Sequence, residues 1–365
     1  MSKPVRVLVV DDSALMRKLL TQILEADSAI EVAGTAMDGS FGLKKIGELK
    51  PDVVTLDLDM PRMDGLEMLR EIVRNYHVPV IVVSAHTQRG AYSALNALAQ
   101  GAFDFVTKPG DAASGNMQEI ADELTAKVKV AAQAGAPKIV APPLLPLRRV
   151  KKLERPASQA PPTRVVAIGI STGGPNALQF IFSQMPREFP GTILVVQHMP
   201  EGFTEMFSRR LDEHSTLQVK EAQSGDLLLA GRVLISPGNR HMKVRRMPVG
   251  DVVVLSDQPR VNGHRPSADV LFQSLAQEFG GHALALLMTG MGVDGAEGMG
   301  AVKAAGGLTL VQSPESCVVD AMPRAAIEKG FAARVVPLDE LANVLQAECA
   351  APPPKLRFEP VALPR

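Results

Sequence analysis

Short apolar runs alternate with amphipathic stretches over the first 130 residues. Runs such as VRVLVV and VPVIVVS have the length of buried strands, and the stretches after them carry leucine or isoleucine at helical spacing. The clearest of these stretches is Ser13–Ala26. Five such pairs with largely apolar strands predict a parallel sheet covered by helices on both faces. Ligands of such sheets gather at the carboxyl ends of the strands.

The same alternation resumes at Val165. The predicted strands after the first one are TILVVQH, Arg232–Ser236, Asp251–Ser256 and Ala283–Thr289. The predicted helices are Asn176–Met185, Gly202–His214, Ser267–Phe279, Ala296–Ala305 and Leu338–Glu348. We therefore expect a second α/β domain, doubly wound and mainly parallel. Because no helix separates the apolar runs between Gln218 and Ser256, an antiparallel excursion is expected there.

Proline interrupts the alternation in two places. Residues 131–162 contain repeated prolines, which remove backbone donors and predict an extended, semi-rigid linker. The apolar run IVAPPLLPL inside it also allows a docking segment for a partner. The Pro-rich tail, residues 351–365, is expected to be disordered. The predicted domains are thus residues 1–130 and 163–350.

Composition narrows the class of partner and the compartment. Lys and Arg number 39, as do Asp and Glu, so net charge does not indicate nucleic acid or an anionic membrane as a partner. The basic clusters Arg148–Lys152 and Lys243–Arg246 are interpreted as solvated surface. Cys317 and Cys349 lack metal-ligand spacing and are expected to be reduced thiols. The first apolar run stops at Asp11, too short for a signal peptide or a membrane span, which predicts a soluble cytoplasmic protein without membrane insertion.

Polar side chains follow the strands of the first domain. Asp11 and Asp12 come after the first strand, Asp57 after the third, Ser84 after the fourth and Lys108 after the fifth. A single aspartate in such a place is more often a helix N-cap. Three carboxylates at one edge repel one another unless a cation joins them, and Mg²⁺ prefers oxygen ligands. With the hydroxyl and the lysine, this set can hold a phosphoryl group on Asp57.

The first domain resembles the receiver domain of response regulators. The motifs that carry the resemblance are VVDDS, LDLDMPRMDG, VVSA and TKP. It implies a flavodoxin-like (βα)5 fold, a histidine kinase as phosphodonor and Asp57 as phospho-acceptor. It also implies Mg²⁺ held by Asp12, Asp57 and the main-chain carbonyl of Asp59, with Asp11 assisting.

The resemblance also assigns roles to three residues that support phosphorylation. Lys108 belongs to the phosphorylation site, and Phe105 matches the switch aromatic that repacks when Ser84 moves toward the phosphoryl group. Such a domain regulates by shifting a two-state equilibrium.

The second domain is organised around VVAIGISTGGP, Val165–Pro175. An apolar run ends at Gly169, Ser171 lies in a glycine-rich bend, and Pro175 suits the first turn of a helix. A turn of this kind lifts a side chain clear of the sheet and aims backbone N–H groups at a ligand. Ser171 is therefore a nucleophile or a phosphate ligand.

Two later segments favour the nucleophile. His198 in QHMP ends a predicted strand, and Asp294 in TGMGVDG follows another. Taken alone, His198 is more often structural and Asp294 more often a helix N-cap. All three residues follow strands of one parallel-type sheet, so they can meet at its carboxyl edge as nucleophile, base and carboxylate. GISTG also matches the G-x-S-x-G pattern, but the chain order differs from that of lipase-type hydrolases.

The second domain resembles the catalytic domain of the chemotaxis protein-glutamate methylesterases. The motifs GISTGGP, VVQHMP, SPGNRHM, RPSADVLF and LMTGMGVDGAEGM carry this resemblance. It implies that Ser171, His198 and Asp294 are catalytic, that Thr172 supports the histidine, and that the main-chain N–H of Met291 is an oxyanion donor. The implied reaction is hydrolysis of glutamate γ-methyl esters on the cytoplasmic helical bundle of methyl-accepting chemoreceptors, with deamidation of receptor glutamines, and no cofactor is implied for it.

Joining a receiver to an esterase predicts control of substrate access. Our hypothesis is that the unphosphorylated receiver lies against the active-site edge and that phosphorylation of Asp57 loosens this contact. The chain departs from the family at Ile170, where alanine is common. We expect the larger side chain to narrow the pocket beside the nucleophile without touching the other two residues.

Three alternatives remain at this point. The chain can be a general carboxylesterase that acts on small esters. GISTGG can be a dinucleotide-binding turn, although Gly169 and Gly174 give only a degraded G-x-G-x-x-G pattern and no acidic strand end follows. The third alternative is a DNA-binding or scaffold protein controlled by a receiver. The sequence shows no helix with a basic recognition face, which argues against DNA binding.

Overall fold

The structure is a computed structural model and describes residues 3–108, 117–135 and 160–350. The predicted tail lies outside the described residues, as does most of the predicted linker. The described residues form two α/β units, as predicted, and these pack directly on each other.

The first unit is a five-stranded parallel sheet with helices on both faces. Its elements are β1 (Val5–Val10), α1 (Ala14–Glu25), β2 (Ile30–Ala36), α2 (Gly39–Leu49), β3 (Val53–Asp57), α3 (Gly65–Asn75), β4 (Val80–Ser84), α4 (Gln88–Ala99), β5 (Asp104–Thr107) and α5 (Met117–Ala134). The strand order is β2-β1-β3-β4-β5, and the chain order therefore reverses beside β1. The crevice at that reversal is where ligands of such sheets bind.

Side-chain caps fix where the helices of this unit begin. Asp38 accepts from the N–H of Phe41 at 2.9 Å at the start of α2, and Asp64 accepts from Glu67 at 2.7 Å at the start of α3. Such caps satisfy backbone donors that the first helical turn leaves free. The helix starts in turn set the length of the loops at the carboxyl edge.

The second unit is a seven-stranded parallel sheet with an added hairpin. Its elements are β6 (Val165–Ile170), α6 (Gly174–Gln184), β7 (Thr192–Gln197), α7 (Phe203–His214), β8 (Gln218–Glu221), β9 (Arg232–Ile235), β10 (His241–Arg245), β11 (Val252–Ser256), α8 (Ala268–Phe279), β12 (Ala283–Leu287), α9 (Ala296–Ala304), β13 (Leu308–Gln312), α10 (Ala321–Glu328), β14 (Arg334–Val336) and α11 (Leu338–Ala350). The order is β14-β13-β12-β6-β7-β9-β8. The prediction of a doubly wound, mainly parallel sheet is confirmed. The order in which the chain adds strands to the sheet reverses beside β6.

The antiparallel excursion is only partly as predicted. β10 and β11 form an antiparallel pair, with His241 opposite Ser256 and Arg245 opposite Val252. β8 and β9, however, pair in parallel although no helix separates them. The absence of a helical pattern between two strands therefore does not predict that they pair in antiparallel.

The end of the first domain also differs from the prediction. Helix α5 continues to Ala134, so the predicted domain end at residue 130 falls within a helix.

The two units share an interface formed largely by α4, α6 and α7. The side-chain amide of Asn176 donates to the carbonyl of Leu98 at 2.9 Å, and Arg210 donates to the Oδ1 of Asn96 at 2.7 Å. The ring of Phe105 stacks on that of Phe203, with centroids 4.9 Å apart and planes 6° from parallel. One apolar core runs from the receiver-like unit into the second unit.

Candidate active site and phosphorylation site

Three adjacent strands of the second sheet end at the candidate active site. Ser171 follows β6 at the centre, His198 follows β7 on one side, and the loop with Asp294 follows β12 on the other. The N–H of Ser171 donates to the carbonyl of Thr289 at 3.0 Å, and that of His198 to the carbonyl of Ile170 at 3.1 Å. The strand that leads to Ser171 therefore lies between the strands that lead to the other two residues.

The turn after β6 is held by backbone geometry that only glycine suits. Gly173 has φ of 80°, which favours glycine, and the N–H of Gly174 donates to the carbonyl of Ser171 at 2.8 Å. A Cβ on Gly174 would lie 2.1 Å from Oε1 of Gln197. The amide of Gln197 in turn donates to the carbonyl of Ser171 at 3.0 Å. The turn and the neighbouring strand end are therefore locked together.

His198 is oriented by its contact with Asp294. Its Nε2 lies 2.8 Å from Oδ2 of Asp294, and both side chains are buried. Nδ1 is also buried and has no hydrogen-bond partner among the described residues. An Nε2–H donated to the carboxylate leaves Nδ1 as the nitrogen able to accept a proton. In the usual Ser-His-Asp arrangement, Nδ1–H donates to the aspartate and Nε2 takes the proton of the serine, so the two nitrogens have exchanged roles here.

Asp294 is the acceptor of a dense hydrogen-bond network. Its oxygens accept from the hydroxyl of Ser267 at 2.6 Å, the N–H of Ala268 at 2.7 Å and the amide of Asn262 at 3.1 Å. Ala268 begins α8, so the carboxylate also lies at a helix N-terminus. Burial raises the pKa of Asp294, but the bonds from His198, Ser267 and Asn262 outweigh it and hold the pKa well below the usual value. The carboxylate is therefore ionised and fixed in position.

A second histidine covers His198. The ring of His264 stacks on that of His198, with centroids 3.7 Å apart and planes 6° from parallel. Burial lowers the pKa of His264 to about 3, and the neighbouring His198 adds to this shift. His264 is consequently neutral at physiological pH. Asn262 belongs to the same loop, so one short segment holds both the histidine and the carboxylate.

Of the two support residues expected around Ser171, Thr172 contacts the receiver-like unit directly. Thr172 is buried, and its Oγ1 donates to Oδ2 of Asp104 in β5 at 2.5 Å, not to the histidine it was expected to support. The side chain of Met291 packs against the core cluster that contains Ile120 and Leu124 of α5. The receiver-like unit thus borders the nucleophile turn at Thr172.

The sequence interpretation missed the network around Asp294 and the covering histidine. Ser267 lies in RPSADVLF, a motif used for the resemblance, but its contact with Asp294 spans 27 residues. Asn262 and His264 stand in a loop without periodicity, and Asp104 resembles an ordinary strand residue. A hydrogen-bonding side chain immediately before a helix was the only local signal, at Ser267.

Carboxylates also converge at the carboxyl edge of the first sheet. Ligand atoms of Asp11, Asp12 and Asp57 lie within 4.8 Å of one another. Lys108 Nζ lies 2.8 Å from Asp57 Oδ2 and 3.2 Å from Asp11 Oδ2. Burial raises the pKa of Asp57, and the charge of Asp11 raises it further against the opposing effect of Lys108. A cation bound here would relieve this repulsion, so the donor set fits a hard divalent ion.

The other residues predicted for the phosphorylation site are Ser84, Phe105 and Asp59, and each has a different partner. Ser84 donates through Oγ to the carbonyl of Gly90 at 3.0 Å, and Phe105 is buried against Phe203. The carboxylate of Asp59 lies 3.5 Å from Arg89. Its N–H donates to Oδ1 of Asp57 at 3.3 Å, which brings its main chain to the acidic cluster.

Comparisons with known proteins agree with both halves. The CheB methylesterase family matches residues 166–345, and the response regulator receiver domain matches residues 7–117. A protein-glutamate methylesterase/protein-glutamine glutaminase of Koribacter versatilis is 63% identical over 352 residues, covering 95% of this chain and 97% of the relative. One of Pyrococcus horikoshii is 43% identical, covering 93% and 92%.

A solved structure supports the fold of the second unit. The Thermotoga maritima CheB methylesterase catalytic domain is 38% identical, with a TM-score of 0.50, and the match covers 50% of this chain and 97% of that one. None of the helices among the described residues has the length and apolar character needed to cross a membrane. Taken with the two matched halves, these similarities show that the chain belongs to the family of protein-glutamate methylesterases/protein-glutamine glutaminases that carry a response regulator receiver domain.

Proposed function

We propose that this chain is a phosphorylation-regulated serine esterase that hydrolyses glutamate γ-methyl esters on bacterial chemoreceptors and releases methanol. It also deamidates receptor glutamines, and it works in the cytoplasm during chemotactic adaptation. The observation that carries the proposal is the 2.8 Å contact between His198 and Asp294, next to the strand end that bears Ser171. The names of the relatives support the substrate class.

In the first step the Ser171 oxygen attacks the ester carbonyl. Nδ1 of His198 takes the hydroxyl proton, since Nε2 is engaged by Asp294. The ionised Asp294 fixes this tautomer and stabilises the imidazolium that forms. Because Asp294 receives three further hydrogen bonds from Ser267, Ala268 and Asn262, its position does not depend on the histidine.

The tetrahedral intermediate carries its charge on the former carbonyl oxygen. We assign the main-chain N–H of Met291 as a donor to this oxygen, and one such donor contributes about 3 kcal/mol. The histidine then protonates the leaving methoxide, and methanol departs. Water, deprotonated by the same nitrogen, hydrolyses the acyl-enzyme and leaves a glutamate. A glutamine amide follows the same route with ammonia as the leaving group.

We propose Asp57 as the phospho-acceptor, with a histidine kinase as phosphodonor. Mg²⁺ held by Asp12, Asp57 and the main-chain carbonyl of Asp59, with Asp11 assisting, would neutralise charge on the incoming phosphoryl group. Lys108 neutralises negative charge at Asp57 from the other side. Ser84 must give up its bond to Gly90 to reach the phosphoryl group, and Phe105 is then free to repack.

The receiver restrains the esterase in the unphosphorylated state. Its Asp104 binds Thr172, the residue after the nucleophile, and Phe105 stacks on Phe203 of the catalytic domain. Phe105 is both the proposed switch residue and part of this interface. Movement of its ring would therefore weaken the contact that covers the site.

The test is methanol release from methylated receptor membranes, with and without acetyl phosphate. We expect release that rises with the phosphodonor, no rise in Asp57→Asn and no release in Ser171→Ala. Thermal unfolding of both variants serves as the control for folding. Equal turnover of small soluble esters and receptor esters would instead favour a general carboxylesterase.

A further inference from the structure

Helix α5 of the receiver spans the candidate active site. Near its start, Glu119 lies 3.1 Å from Arg260, in the loop that also carries His264. About two turns later, Lys127 lies 3.3 Å from Asp104, the partner of Thr172. The helix thus runs for about 12 Å from the loop over the histidine to the turn of the nucleophile.

An apolar cluster to which both domains contribute accompanies these polar contacts. Ile120 and Leu124 of α5 belong to a buried cluster against which Met291, Val318 and Ala321 of the catalytic domain pack. Met291 supplies the proposed oxyanion donor. The surface beneath α5 therefore combines an arginine at one end with apolar side chains close to the reacting centre.

Arg260, at one end of the surface beneath α5, belongs to a basic stretch of the chain. Residues 240–265 contain six Lys or Arg and two Asp, although the whole chain has no net charge. The side chain of Arg260 is 46% exposed, and Glu119 is its acidic partner in the closed form. A carboxylate on an incoming helix can take the place of Glu119.

We propose that the surface beneath α5 is the docking site for the receptor helix, and that Arg260 binds a carboxylate flanking the target glutamyl ester. The inference rests on the proposed function. Each turnover leaves a new carboxylate on the substrate helix, so a segment with several target positions becomes more acidic as hydrolysis proceeds. α5 matches such a ligand because it is a helix that places an acid on Arg260, and its apolar residues belong to the cluster against which Met291 packs. Receiver and receptor therefore compete for one surface.

The first test is charge reversal at Arg260 in the full chain. With acetyl phosphate present, we expect Arg260→Glu to raise the KM for methylated receptor membranes about tenfold, since attraction is replaced by repulsion, while kcat changes little. In a Ser171→Ala background, the same reversal should reduce co-sedimentation with those membranes. Arg245→Glu is the matched control, because Arg245 is exposed in the same basic stretch but lies at the far end of β10. An unchanged KM for Arg260→Glu, or an equal rise for Arg245→Glu, would overturn the proposal.

A charge swap separates docking from inhibition. Without phosphodonor, Arg260→Glu alone should raise the turnover of a small soluble ester, because it repels Glu119 and such an ester does not need the docking surface. Adding Glu119→Arg restores the pair and should restore low basal activity, whereas the high KM for receptors persists because the receptor charge is unchanged. Recovery of a normal KM in the double variant would contradict a docking role. If wild type releases no methanol, the proposed function fails, and co-sedimentation still tests the docking surface.

Discussion

Thr172 donates a hydrogen bond to Asp104 across the interface between the receiver and the catalytic domain, at 2.5 Å. Asp104 is simultaneously 3.3 Å from Lys127. Burial lowers the pKa of Lys127, but the charges of Asp104 and Glu123 outweigh it and raise the pKa above its usual value. A charged, buried network therefore reaches from α5 to the residue beside the nucleophile.

Removing Asp104 should release the catalytic domain. In Asp104→Ala, a hydrogen bond to a charged group worth about 1.5–3 kcal/mol is lost from the closed form, so basal methanol release should rise about tenfold or more. The assay is methanol release from receptor membranes without phosphodonor. Asp27→Ala is the matched control, because Asp27 also pairs with a lysine of α5, Lys129 at 2.7 Å, but within the receiver. Equal activation by both variants would show general loosening of α5 instead of a specific link to Thr172.

Replacing His264 should change how stability depends on pH. Because the pKa of His264 is about 3 in the folded chain and about 6.5 in the unfolded one, only the unfolded chain gains this proton as pH falls below about 6.5. Its contribution to stability is therefore present above pH 6.5 and is lost toward pH 3, by up to about 1.4 kcal/mol per pH unit.

We expect His264→Gln to lose less stability than wild type between pH 7 and about pH 5, since glutamine takes up no proton. Urea unfolding at several pH values measures this difference. His282→Gln is the control, because it changes another histidine of the same domain away from the site. Parallel curves for wild type and His264→Gln would contradict burial of a neutral imidazole.

Mg²⁺ should stabilise the receiver through Asp57. A ligand that binds only the folded state at a concentration 100 times its Kd adds about 2.7 kcal/mol. We expect the melting temperature of wild type to rise with Mg²⁺ and to fall back with EDTA. Asp57→Asn should respond weakly, and in EDTA it should melt above wild type, because it removes a buried carboxylate that faces Asp11. An equal response to Mg²⁺ in both proteins would place the cation elsewhere.

The sequence was most informative where strands end. Ser171 and His198 follow neighbouring strands of the second sheet, and Asp57 ends a strand of the first. A parallel sheet brings all its carboxyl ends to one edge, so the edge at which each residue lies could be predicted without coordinates. The parallel pairing of β8 with β9 could not be predicted, because the direction in which two strands pair depends on packing across the sheet and not on a local pattern.

Contacts between the two domains could not be predicted from the sequence either, because they also depend on packing and not on a local pattern. Asp104 sits in a short strand and Thr172 in a tight turn, and neither pattern indicates a partner 68 residues away. His264 likewise stacks on His198 from a loop without periodicity. Such contacts depend on how two complete folds pack, so a hypothesis of domain closure could be stated from the sequence but its residues could not be named.

Gly290 is the position where a single methyl group should separate activity from stability. A Cβ there would lie 2.7 Å from Cβ of Ser171 and 2.2 Å from Sδ of Met322. The methionine end can move aside, but Ser171 is held in its turn by the bonds of its N–H and carbonyl to Thr289, Gly174 and Gln197. Gly290→Ala should thus cost about 1–3 kcal/mol of stability and displace the nucleophile.

Because a displacement of about 1 Å can cost about 100-fold in rate, the fall in kcat for methanol release should far exceed the loss expected from unfolding. Gly47→Ala is the matched control: its Cβ meets nothing within 4 Å, and Gly47 lies within α2, where alanine favours the helix. It should leave methanol release unchanged and raise the melting temperature slightly. Wild-type kcat in a folded Gly290→Ala protein would mean that the loop after β12 yields more easily than the turn of Ser171, and that the geometry of that turn is not what limits the nucleophile.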